Sequence, residues 1–489
     1  MGKKTGFLDY ARETSYEVPP TERIKNFDEF HIPLSTKEQQ KQGARCMDCG
    51  IPFCQYGQKI KGMFSGCPLN NLIPEWNDLV FKGKYEQAHK RLKKTNNFPE
   101  FTSRVCPALC ENACTCGLNG ESVTVKANEK YLIEKGFTEG KIKANPPKIR
   151  TGKKVAIIGS GPSGLASADI LNKLGHNVTV YEREDYVGGL MMYGIPNMKL
   201  EKNIIERRVN ILKEEGITFK TCINIGVDVK YNELDKEYDA IVVTIGASKP
   251  RDLKVPGREL NGIHFAVRYL TNNTKRIVGS QFNKGSDILA TNKDVIVIGG
   301  GDTGTDCVGT AIRQGAKSVN QFEIMGEPLK TRSENNPWPE YAKVLKIDYG
   351  QEEYIAKFGH DPRRYLTSVK EFYGDENGNV KSLKTIDVEW IKNEDGRMNL
   401  KEIQGSEKVW NADLVLIAMG FTGVEDYIAE DLGVELNNRG NINASDTDYK
   451  TSKDKVFVAG DARRGPSLVV WAIAEGRNVA LSVDKYLME

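Results

Sequence analysis

The sequence predicts an α/β fold in which a separate N-terminal unit precedes two copies of a β-α-β unit. Eight of the ten cysteines lie before position 117, which sets the N-terminal quarter apart from the rest of the chain. An apolar, β-branched run, a glycine-rich turn, an amphipathic helix and a second apolar run follow one another in residues 154–182, and the same order recurs in residues 294–323. This alternation of strands and helices is typical of parallel sheets.

Size and charge indicate a multidomain protein whose partners are small molecules and other proteins. The chain has 489 residues, of which 39% are hydrophobic, enough for two or three cores. A net charge of +3 is too small to indicate binding to nucleic acid or to an anionic membrane. No apolar run reaches the about 20 residues of a membrane span, and the start "MGKKTGFLDYARETSYEVPP" lacks the apolar core of a secretory signal. We expect a cytoplasmic protein with reduced cysteines, which in that compartment bind metal or do redox work.

The first glycine turn has the spacing of a dinucleotide-binding motif. Gly159, Gly161 and Gly164 fit G-x-G-x-x-G, in which the glycines allow a tight turn, close approach of a diphosphate and close helix packing. The diphosphate then lies at a helix N-terminus, where the peptide dipoles favour negative charge. Glu182, at the end of the second strand, is placed to accept hydrogen bonds from the ribose hydroxyls.

Two further stretches suggest that this first turn holds FAD. The distant Gly460-Asp461 pair offers a carboxylate to a ribityl hydroxyl. The glycines of "VGGL", which ends in Gly189 and Leu190, allow close approach of an isoalloxazine ring.

The second glycine turn repeats the motif and is expected to hold a nicotinamide nucleotide. The residues expected to contact this nucleotide are Gly299, Gly301, Asp302, Thr303, Gly304, Glu323 and Arg332. A carboxylate at the position of Glu323 favours the free 2′-hydroxyl of NADH over the 2′-phosphate of NADPH. Lys330 and Arg332 follow closely and offer charges to such a phosphate, so NADPH remains open. Two dinucleotide sites in one chain indicate a relay, because a nicotinamide delivers a hydride and a flavin releases single electrons.

These signals divide the chain into four expected segments. The basic, proline-containing stretch "KIKANPPKIRTGKK" reads as a linker after the cysteine-rich unit. Each glycine turn is followed by a further buried strand, and "KVFVAGDARRG" with the helix after it should complete the first nucleotide unit. Residues 326–366 are polar and are expected to form an irregular insertion in the second unit. The segments are an iron-sulfur unit at 1–150, an FAD unit at 151–285 completed by 426–489, and an NAD(P)H unit at 286–425.

The N-terminal cysteines have the spacing of metal ligands. Cys46, Cys49 and Cys54 run C-x2-C-x4-C, Cys67 precedes a proline, and a second group runs from Cys106-Pro to Cys110, Cys114 and Cys116. Structural zinc is one alternative, because C-x2-C pairs also make zinc sites. Iron-sulfur clusters are the favoured alternative, because proline-followed cysteines are typical of ferredoxins and the chain already contains a converter of hydrides into single electrons.

The dense motifs resemble one known family. The stretches "RCMDCGIPFC", "GCPLNNLIPEWNDLV", "VCPALCENAC" and "SVTVKANE", with "GSGPSGL", "YGIPNMKL" and "GGGDTGTDCVGT", resemble the small (β) subunits of glutamate synthase over nearly the whole chain. At lower similarity they resemble the N-terminal part of dihydropyrimidine dehydrogenase. The resemblance implies a mainly helical N-terminal domain with two [4Fe-4S] clusters, followed by two Rossmann-like domains in a glutathione-reductase-like arrangement. The cofactors so implied are FAD and the two clusters, with NADH or NADPH as substrate.

The resemblance also implies the cluster ligands. One cluster is assigned to Cys46, Cys49, Cys54 and Cys114, and the other to Cys67, Cys106, Cys110 and Glu129. Cysteine counting alone would instead nominate Cys116 as the eighth ligand. We favour Glu129, since Cys116 lies too close to Cys114 to serve a different cluster without strain.

We predict an electron-input subunit that oxidises NAD(P)H through FAD and passes electrons through the clusters to a glutamate synthase large subunit, which makes glutamate from glutamine and 2-oxoglutarate. No protein side chain is assigned a catalytic role, since the flavin itself accepts the hydride. One alternative is a related ferredoxin-linked or bifurcating oxidoreductase. The other, of a different class, is a zinc-stabilised nucleotide-binding interaction module.

Overall fold

The computed structural model describes residues 2–60, 63–279 and 287–489. Within this range the N-terminal unit is mainly helical, as predicted. Its helices are α1 Gly6–Asp9, α2 Pro20–Arg23, α3 Thr36–Ala44, α4 Ile73–Phe81, α5 Tyr85–Thr95, α6 Pro99–Val105, α7 Leu109–Asn112 and α8 Val125–Thr138, with a 3-10 turn at Thr115–Leu118. Its strands form two short antiparallel pairs, β1 Tyr16–Glu17 with β2 His31–Ile32 and β3 Gln58–Ile60 with β4 Met63–Ser65.

A parallel five-stranded sheet follows, as the first β-α-β pattern predicts. The elements up to residue 250 are β5 Lys154–Ile158, α9 Pro162–Lys173, β6 Asn177–Tyr181, α10 Leu190–Tyr193, α11 Lys202–Glu214, β7 Thr218–Lys220, α12 Tyr231–Glu237, β8 Ala240–Val243 and β9 Lys249–Pro250. The strands β8, β5, β6 and β7 lie side by side in that order. Both faces of the central strands are buried, which explains why these strands are continuous apolar runs.

A second parallel sheet carries the repeat of the pattern. The remaining elements before residue 424 are β10 Ile263–Phe265, α13 Ala266–Val278, β11 Asp294–Ile298, α14 Asp302–Arg313, β12 Ser318–Phe322, α15 Tyr349–Phe358, β13 Arg363–Arg364, β14 Thr367–Gly374, β15 Val380–Lys392, β16 Met398–Glu402, β17 Lys408–Asn411, β18 Leu414–Ile417 and β19 Phe421–Gly423. The parallel order is β10, β18, β11, β12 and β13. Strands β14 to β17 form a separate antiparallel sheet.

The C-terminal segment returns to the first sheet, as the sequence predicts. Its elements are α16 Asp426–Leu432, β20 Val456–Val458, α17 Asp461–Arg464 and α18 Val469–Met488. Strand β20 pairs with β8 in parallel and becomes the edge strand of the first sheet. Helix α18 packs along α9, and a Cβ on Gly476 would overlap the carbonyl oxygen of Ser163, so the two helices touch at backbone distance.

The structure corrects the expectation of an irregular insertion at 326–366. The ten residues of α15 lie within it, and β13 adds a strand to the second sheet. The helix begins at a capping box, because Asp348 accepts a hydrogen bond from Tyr349 N at 2.7 Å and Gln351 reaches back to Asp348 N. This local signal was present in the sequence and was missed.

The predicted boundary between residues 285 and 286 lies outside the described residues. Strand β10, at 263–265, already pairs in parallel with β18 of the second sheet. We therefore propose that the second nucleotide unit begins before residue 263, because a strand belongs to the unit whose sheet it extends.

The cysteine-rich unit and the first nucleotide unit share one apolar core. Trp76 and Phe101 of the N-terminal helices pack in the same buried cluster as Leu165 of α9 and Ile473 of α18. A buried ion pair between Arg208 of α11 and Glu100 of α6 crosses the same boundary. The two units are thereby held in a fixed relation to each other.

Candidate functional site

The first glycine turn has the geometry of a diphosphate cradle. Gly159 follows β5 with φ of +99°, a backbone conformation that favours glycine. A Cβ on Gly164 would overlap the carbonyl oxygen of Gly159, so the turn and helix α9 require glycine at both positions. Gly161 is the N-cap of α9, and nothing lies within 4 Å of the position that its Cβ would take. The open space at this helix N-terminus fits a dinucleotide diphosphate.

Three distant segments meet at this turn. Glu182, buried at the end of β6, accepts a hydrogen bond from Ser160 N at 3.1 Å. A Cβ on Gly189 would lie 2.9 Å from the Cα of Gly161, which brings the "VGGL" loop against the turn. A Cβ on Gly460 would lie 2.9 Å from the Cβ of Ser163, in the first turn of α9. The structure thus brings together the residues that the sequence nominates for FAD.

The carboxyl group of Asp461 lies beside this cradle in a partly buried position. Burial raises its pKa to about 6, although the hydrogen bond from Ser467 Oγ, at 2.6 Å, favours the carboxylate. The Ser163 hydroxyl is buried without a partner among the described residues. An unpaired buried hydroxyl and a carboxylate with a raised pKa fit a bound, hydroxyl-rich ligand. Leu190 begins α10 and is 47% exposed, so the loop presents an apolar side chain at the mouth of the site.

The loop after "VGGL" is held by the buried amine of Lys202, which sequence reasoning missed because no motif marks it. Lys202 Nζ donates hydrogen bonds to Met191 O at 2.9 Å and to Ile195 O at 2.6 Å. Burial lowers its pKa to about 7. These two bonds fix the backbone that follows Leu190.

The second glycine turn repeats the cradle at the start of α14. A Cβ on Gly299 would overlap Ala418 O, and one on Gly304 would overlap Gly299 O. Gly301 is the N-cap of α14 and is open, and Asp302 and Thr303 form the first turn of the helix beside it. The turn therefore leaves room for a second diphosphate.

The two residues proposed to select the nucleotide lie in different surroundings. Glu323 accepts a hydrogen bond from Met325 N at 2.9 Å, and a Cβ on Gly300 would overlap its carboxylate. Its charge is therefore held against the glycine turn. Arg332 instead donates to Asn336 O at 3.3 Å, within the segment that follows. Glu323 thus lies against the second glycine turn, and Arg332 is hydrogen-bonded within the segment that follows it.

The predicted cluster ligands lie close together. Cys54 lies within electrostatic range of Cys46, Cys49, Cys114 and Cys67. Cys110 lies within the same range of Cys67, Cys106 and Cys54. We keep the division that the family resemblance implies, with a first group at Cys46, Cys49, Cys54 and Cys114 and a second group at Cys67, Cys106 and Cys110. The two groups adjoin, since Cys67 N donates to Cys54 O at 2.9 Å.

The carboxyl group of Glu129 accompanies the second group. Glu129 faces Cys67 and Cys106 from helix α8. Its Oε1 accepts hydrogen bonds from Asn96 Nδ2, at 2.8 Å, and from Thr102 Oγ1. Burial raises its pKa to about 7.

The chemistry of these thiols fits a metal cluster. Burial raises the pKa of Cys46 and Cys67 to about 12 and that of Cys106 to about 11. Such groups become thiolates only beside a strongly positive centre, which the irons of a cluster supply. Cys114 is the exception, because the neighbouring Cys116 thiol lowers its pKa to about 6. The Cys116 thiol itself donates a hydrogen bond to Arg45 O at 3.7 Å.

Two other observations bear on the metal and membrane predictions. Among the described residues, no three histidine, cysteine, aspartate or glutamate side chains converge on a position for one metal ion. No helix in the described part of the chain combines the length and apolar character of a bilayer span.

Comparison with known proteins agrees with this geometry. Residues 153–476 match the family model of pyridine nucleotide-disulphide oxidoreductases, and residues 23–141 match the model of dihydropyrimidine dehydrogenase domain II, 4Fe-4S cluster. The solved structure of FprA from Mycobacterium tuberculosis, a His57Gln mutant, is similar with a TM-score of 0.54 and 20% identity, over 69% of this chain and 85% of that one. Fold and site together define an NAD(P)H-dependent flavin and iron-sulfur oxidoreductase, and the 4Fe-4S match favours clusters over the zinc alternative.

Whole-chain relatives narrow this class. The glutamate synthase [NADPH] small chain of Bacillus subtilis is 53% identical over 489 residues, covering 100% of this chain and 99% of that one. The glutamate synthase [NADH] of Schizosaccharomyces pombe is 48% identical over 99% of this chain, which spans only 23% of that longer protein. The chain belongs to the family of glutamate synthase small chains.

Proposed function

We propose that the chain is the electron-input subunit of a glutamate synthase, which takes reducing equivalents from NADH or NADPH and delivers single electrons to a large subunit. That partner is proposed to make glutamate from glutamine and 2-oxoglutarate. Support for such a partner comes from the yeast relative, in which a matching segment is part of a much longer chain. We place the activity in the cytosol, where the thiols stay reduced.

One contact carries the proposal. The ring of Trp471, near the start of α18, lies 4.5 Å from the ring of Phe64, centroid to centroid. Helix α18 follows Gly460-Asp461 of the proposed flavin site, and Phe64 lies in β4, three residues before Cys67. The contact therefore joins the proposed flavin site to a proposed cluster ligand loop, which is the connection that a flavin-to-cluster relay requires.

The residues of the chain have distinct proposed roles. The first glycine turn, Glu182 and Asp461 bind and orient FAD. The second glycine turn and Glu323 bind the nicotinamide nucleotide. When bound, FAD supplies hydride acceptance and one-electron release, and the clusters supply one-electron carriage. Lys202 and the shared core keep the backbone of the site rigid. The protein itself thus holds the cofactors in position and excludes water from the site.

Electron acceptors distinguish this function from its alternatives. Anaerobically purified chain is expected to carry flavin and about eight irons, four for each cluster, and to oxidise NADH or NADPH with an artificial one-electron acceptor. Adding the large subunit should make the oxidation depend on glutamine and 2-oxoglutarate. A ferredoxin-linked enzyme would instead reduce ferredoxin without either substrate.

Two cysteine variants provide the matched control. Cys67→Ser should retain flavin reduction but lose electron delivery to the large subunit. Cys307→Ser should behave as wild type, because that thiol is buried within α14, outside both groups. Equal behaviour of both variants, or purified protein with neither iron nor flavin, would contradict the proposal.

A further inference from the structure

The segment Asn336–Ala342, here called the strap, belongs to the second nucleotide unit but contacts the cysteine-rich unit. It lies between β12 and α15 in the chain. The ring of Trp338 lies 4.9 Å from the ring of Phe53. Ser65 Oγ donates a hydrogen bond to Pro339 O at 2.6 Å, and Ala342 N donates to Asn112 Oδ1 at 3.2 Å.

Each contact of the strap lies next to a proposed cluster ligand. Phe53 immediately precedes Cys54, and Ser65 lies two residues before Cys67. Asn112 lies midway between Cys110 and Cys114. The strap therefore covers the region where the two ligand groups adjoin.

An internal hydrogen-bond network gives the strap one conformation. Asn336 Nδ2 donates to Glu340 Oε2 and to Tyr341 O, both at 3.1 Å, and Asn336 Oδ1 accepts from Lys343 N at 2.8 Å. Asn336 and Glu340 are each only 4% exposed. A buried network of this kind restricts the backbone that carries it, although Glu340 Oε1 is buried without a hydrogen-bond partner among the described residues.

The indole N–H of Trp338, in the same segment, takes no part in this network. The nitrogen is buried and has no hydrogen-bond acceptor among the described residues. Buried tryptophan N–H groups usually find a partner, because an unpaired buried donor has lost its hydrogen bonds to water without replacement. The ring packs on Phe53, so the unpaired donor lies beside the loop that carries Cys54. Sulfur atoms of a cluster at that loop are the acceptors that the proposed function would place there.

We propose that the Trp338 indole donates a hydrogen bond to the sulfur shell of the cluster held at Cys54 and thereby raises its reduction potential. The inference rests on the proposed function. A donor stabilises the reduced cluster more than the oxidised one, because reduction increases the negative charge on the sulfurs. The strap holds the donor in place. Trp338 would thereby adjust the reduction potential of that cluster and, with it, electron transfer through the cluster.

Redox titration of Trp338→Phe, followed by electron paramagnetic resonance, tests this role. The variant keeps a ring against Phe53 and removes the N–H. We expect full iron content, a more negative midpoint potential for one cluster, and no change in the other. The matched control is Trp390→Phe, which removes an indole bond to Ile324 O, 3.0 Å long, at the antiparallel sheet and should shift neither potential. Unchanged potentials in fully loaded Trp338→Phe would overturn the proposal.

Trp338→Met decides the case if Trp338→Phe loses iron. This variant also removes the N–H and fills part of the space of the ring. A more negative midpoint potential with full iron supports the proposal, and an unchanged potential with full iron overturns it. Flavin reduction by NADH and NADPH in the same preparations tests the proposed function separately. Its absence would overturn that function without affecting the comparison of potentials.

Discussion

Lys199 Nζ lies 3.2 Å from Asp306 Oδ1. This ion pair joins the loop between α10 and α11 of the first nucleotide unit to helix α14 of the second nucleotide unit. The two side chains are 20% and 6% exposed. The Tyr349 hydroxyl donates to the same Asp306 oxygen at 2.8 Å. Burial alone would lower the pKa of Lys199, but the carboxylates of Asp306 and Asp348 outweigh it and raise the pKa. Lys199 is therefore a charged link between the two nucleotide units.

Removing Lys199 alone should destabilise the protein strongly. In Lys199→Met, Asp306 loses its cation while staying buried, and we expect the free energy of unfolding to fall by about 3 to 5 kcal/mol. The double variant Lys199→Met with Asp306→Asn should recover most of this loss, since the amide still accepts the Tyr349 hydrogen bond. Denaturant unfolding of flavin-loaded protein measures both. Lys317→Met is the control, because its ion pair with Asp294 is solvent-exposed on the lysine side and contributes about 1 kcal/mol or less.

Iron content should distinguish Cys114 from Cys116. Cys114→Ser is expected to lose about four of the about eight irons, because it removes a ligand of one cluster. Cys116→Ser should keep all of them, because Cys116 is not assigned as a ligand and its thiol donates a hydrogen bond to Arg45 O. Iron and sulfide analysis of anaerobic preparations gives the answer. Loss of four irons in Cys116→Ser with full content in Cys114→Ser would reverse the assignment.

Glu129→Leu should remove the other cluster. The variant deletes the proposed oxygen ligand and removes one of the two acceptors of Asn96 Nδ2, which still donates to Thr102 Oγ1 at 2.7 Å. We expect loss of about four irons per chain while flavin content is retained. Glu134→Leu on the same helix is the control, since Glu134 pairs with Arg207 and Arg104 away from the cysteines and should cost stability without loss of iron. Full iron in Glu129→Leu would contradict its role as a ligand.

The sequence predicted those parts of the site that depend on local backbone geometry. Gly159 and Gly299 adopt positive φ at the turns that the motif requires, and the strands around them are apolar runs of the expected length. The strap and the Lys199–Asp306 pair could not be predicted, because their partners lie more than 100 residues away and no motif links them. Helix α15 could have been predicted from its capping box. It was not predicted, because the segment around it is polar and rich in proline, which is typical of irregular structure. The cluster ligands were assigned from the family resemblance, because the spacing of the cysteines alone is also compatible with zinc sites.

The raised pKa of Asp461 predicts an unusual pH dependence of the apoprotein. The folded state holds this proton up to about pH 6, whereas the unfolded state releases it near 3.8. The folded state therefore binds more protons between these values, and the unfolding free energy of wild type falls as pH rises through this range. Asp461→Asn avoids that loss and should be about 1 to 3 kcal/mol more stable than wild type at pH 7.5, with no gain below pH 3.8.

Flavin binding should reverse this ranking. The proposed ribityl hydroxyl donates to the Asp461 carboxylate, so Asp461→Asn should release FAD more readily than wild type at neutral pH. Wild type should also lose FAD as pH falls below about 6, because protonation removes the acceptor charge. Denaturant unfolding of flavin-stripped protein and fluorescence of released flavin measure the two effects. A variant less stable than wild type in the apo form at pH 7.5 would contradict the prediction.

Nucleotide preference should depend on Glu323 more than on Arg332. The Glu323 carboxylate is held against Gly300, at the turn proposed to bind the adenosine end of the nucleotide, and there it repels a 2′-phosphate. In Glu323→Ser we expect the ratio of kcat/KM for NADPH to that for NADH to rise about tenfold or more, since repulsion of one nucleotide and a hydrogen bond to the other disappear together. Arg332→Met should change the ratio by less than about threefold, because Arg332 is bonded to Asn336 O and not to the turn.

Glu182→Ser is the matched control, since Glu182 occupies the same position at the first turn and its loss should lower flavin content while leaving the ratio unchanged. An unchanged ratio in Glu323→Ser, together with a large loss of NADPH use in Arg332→Met, would mean that the arginine leaves Asn336 to bind the phosphate when the nucleotide is present.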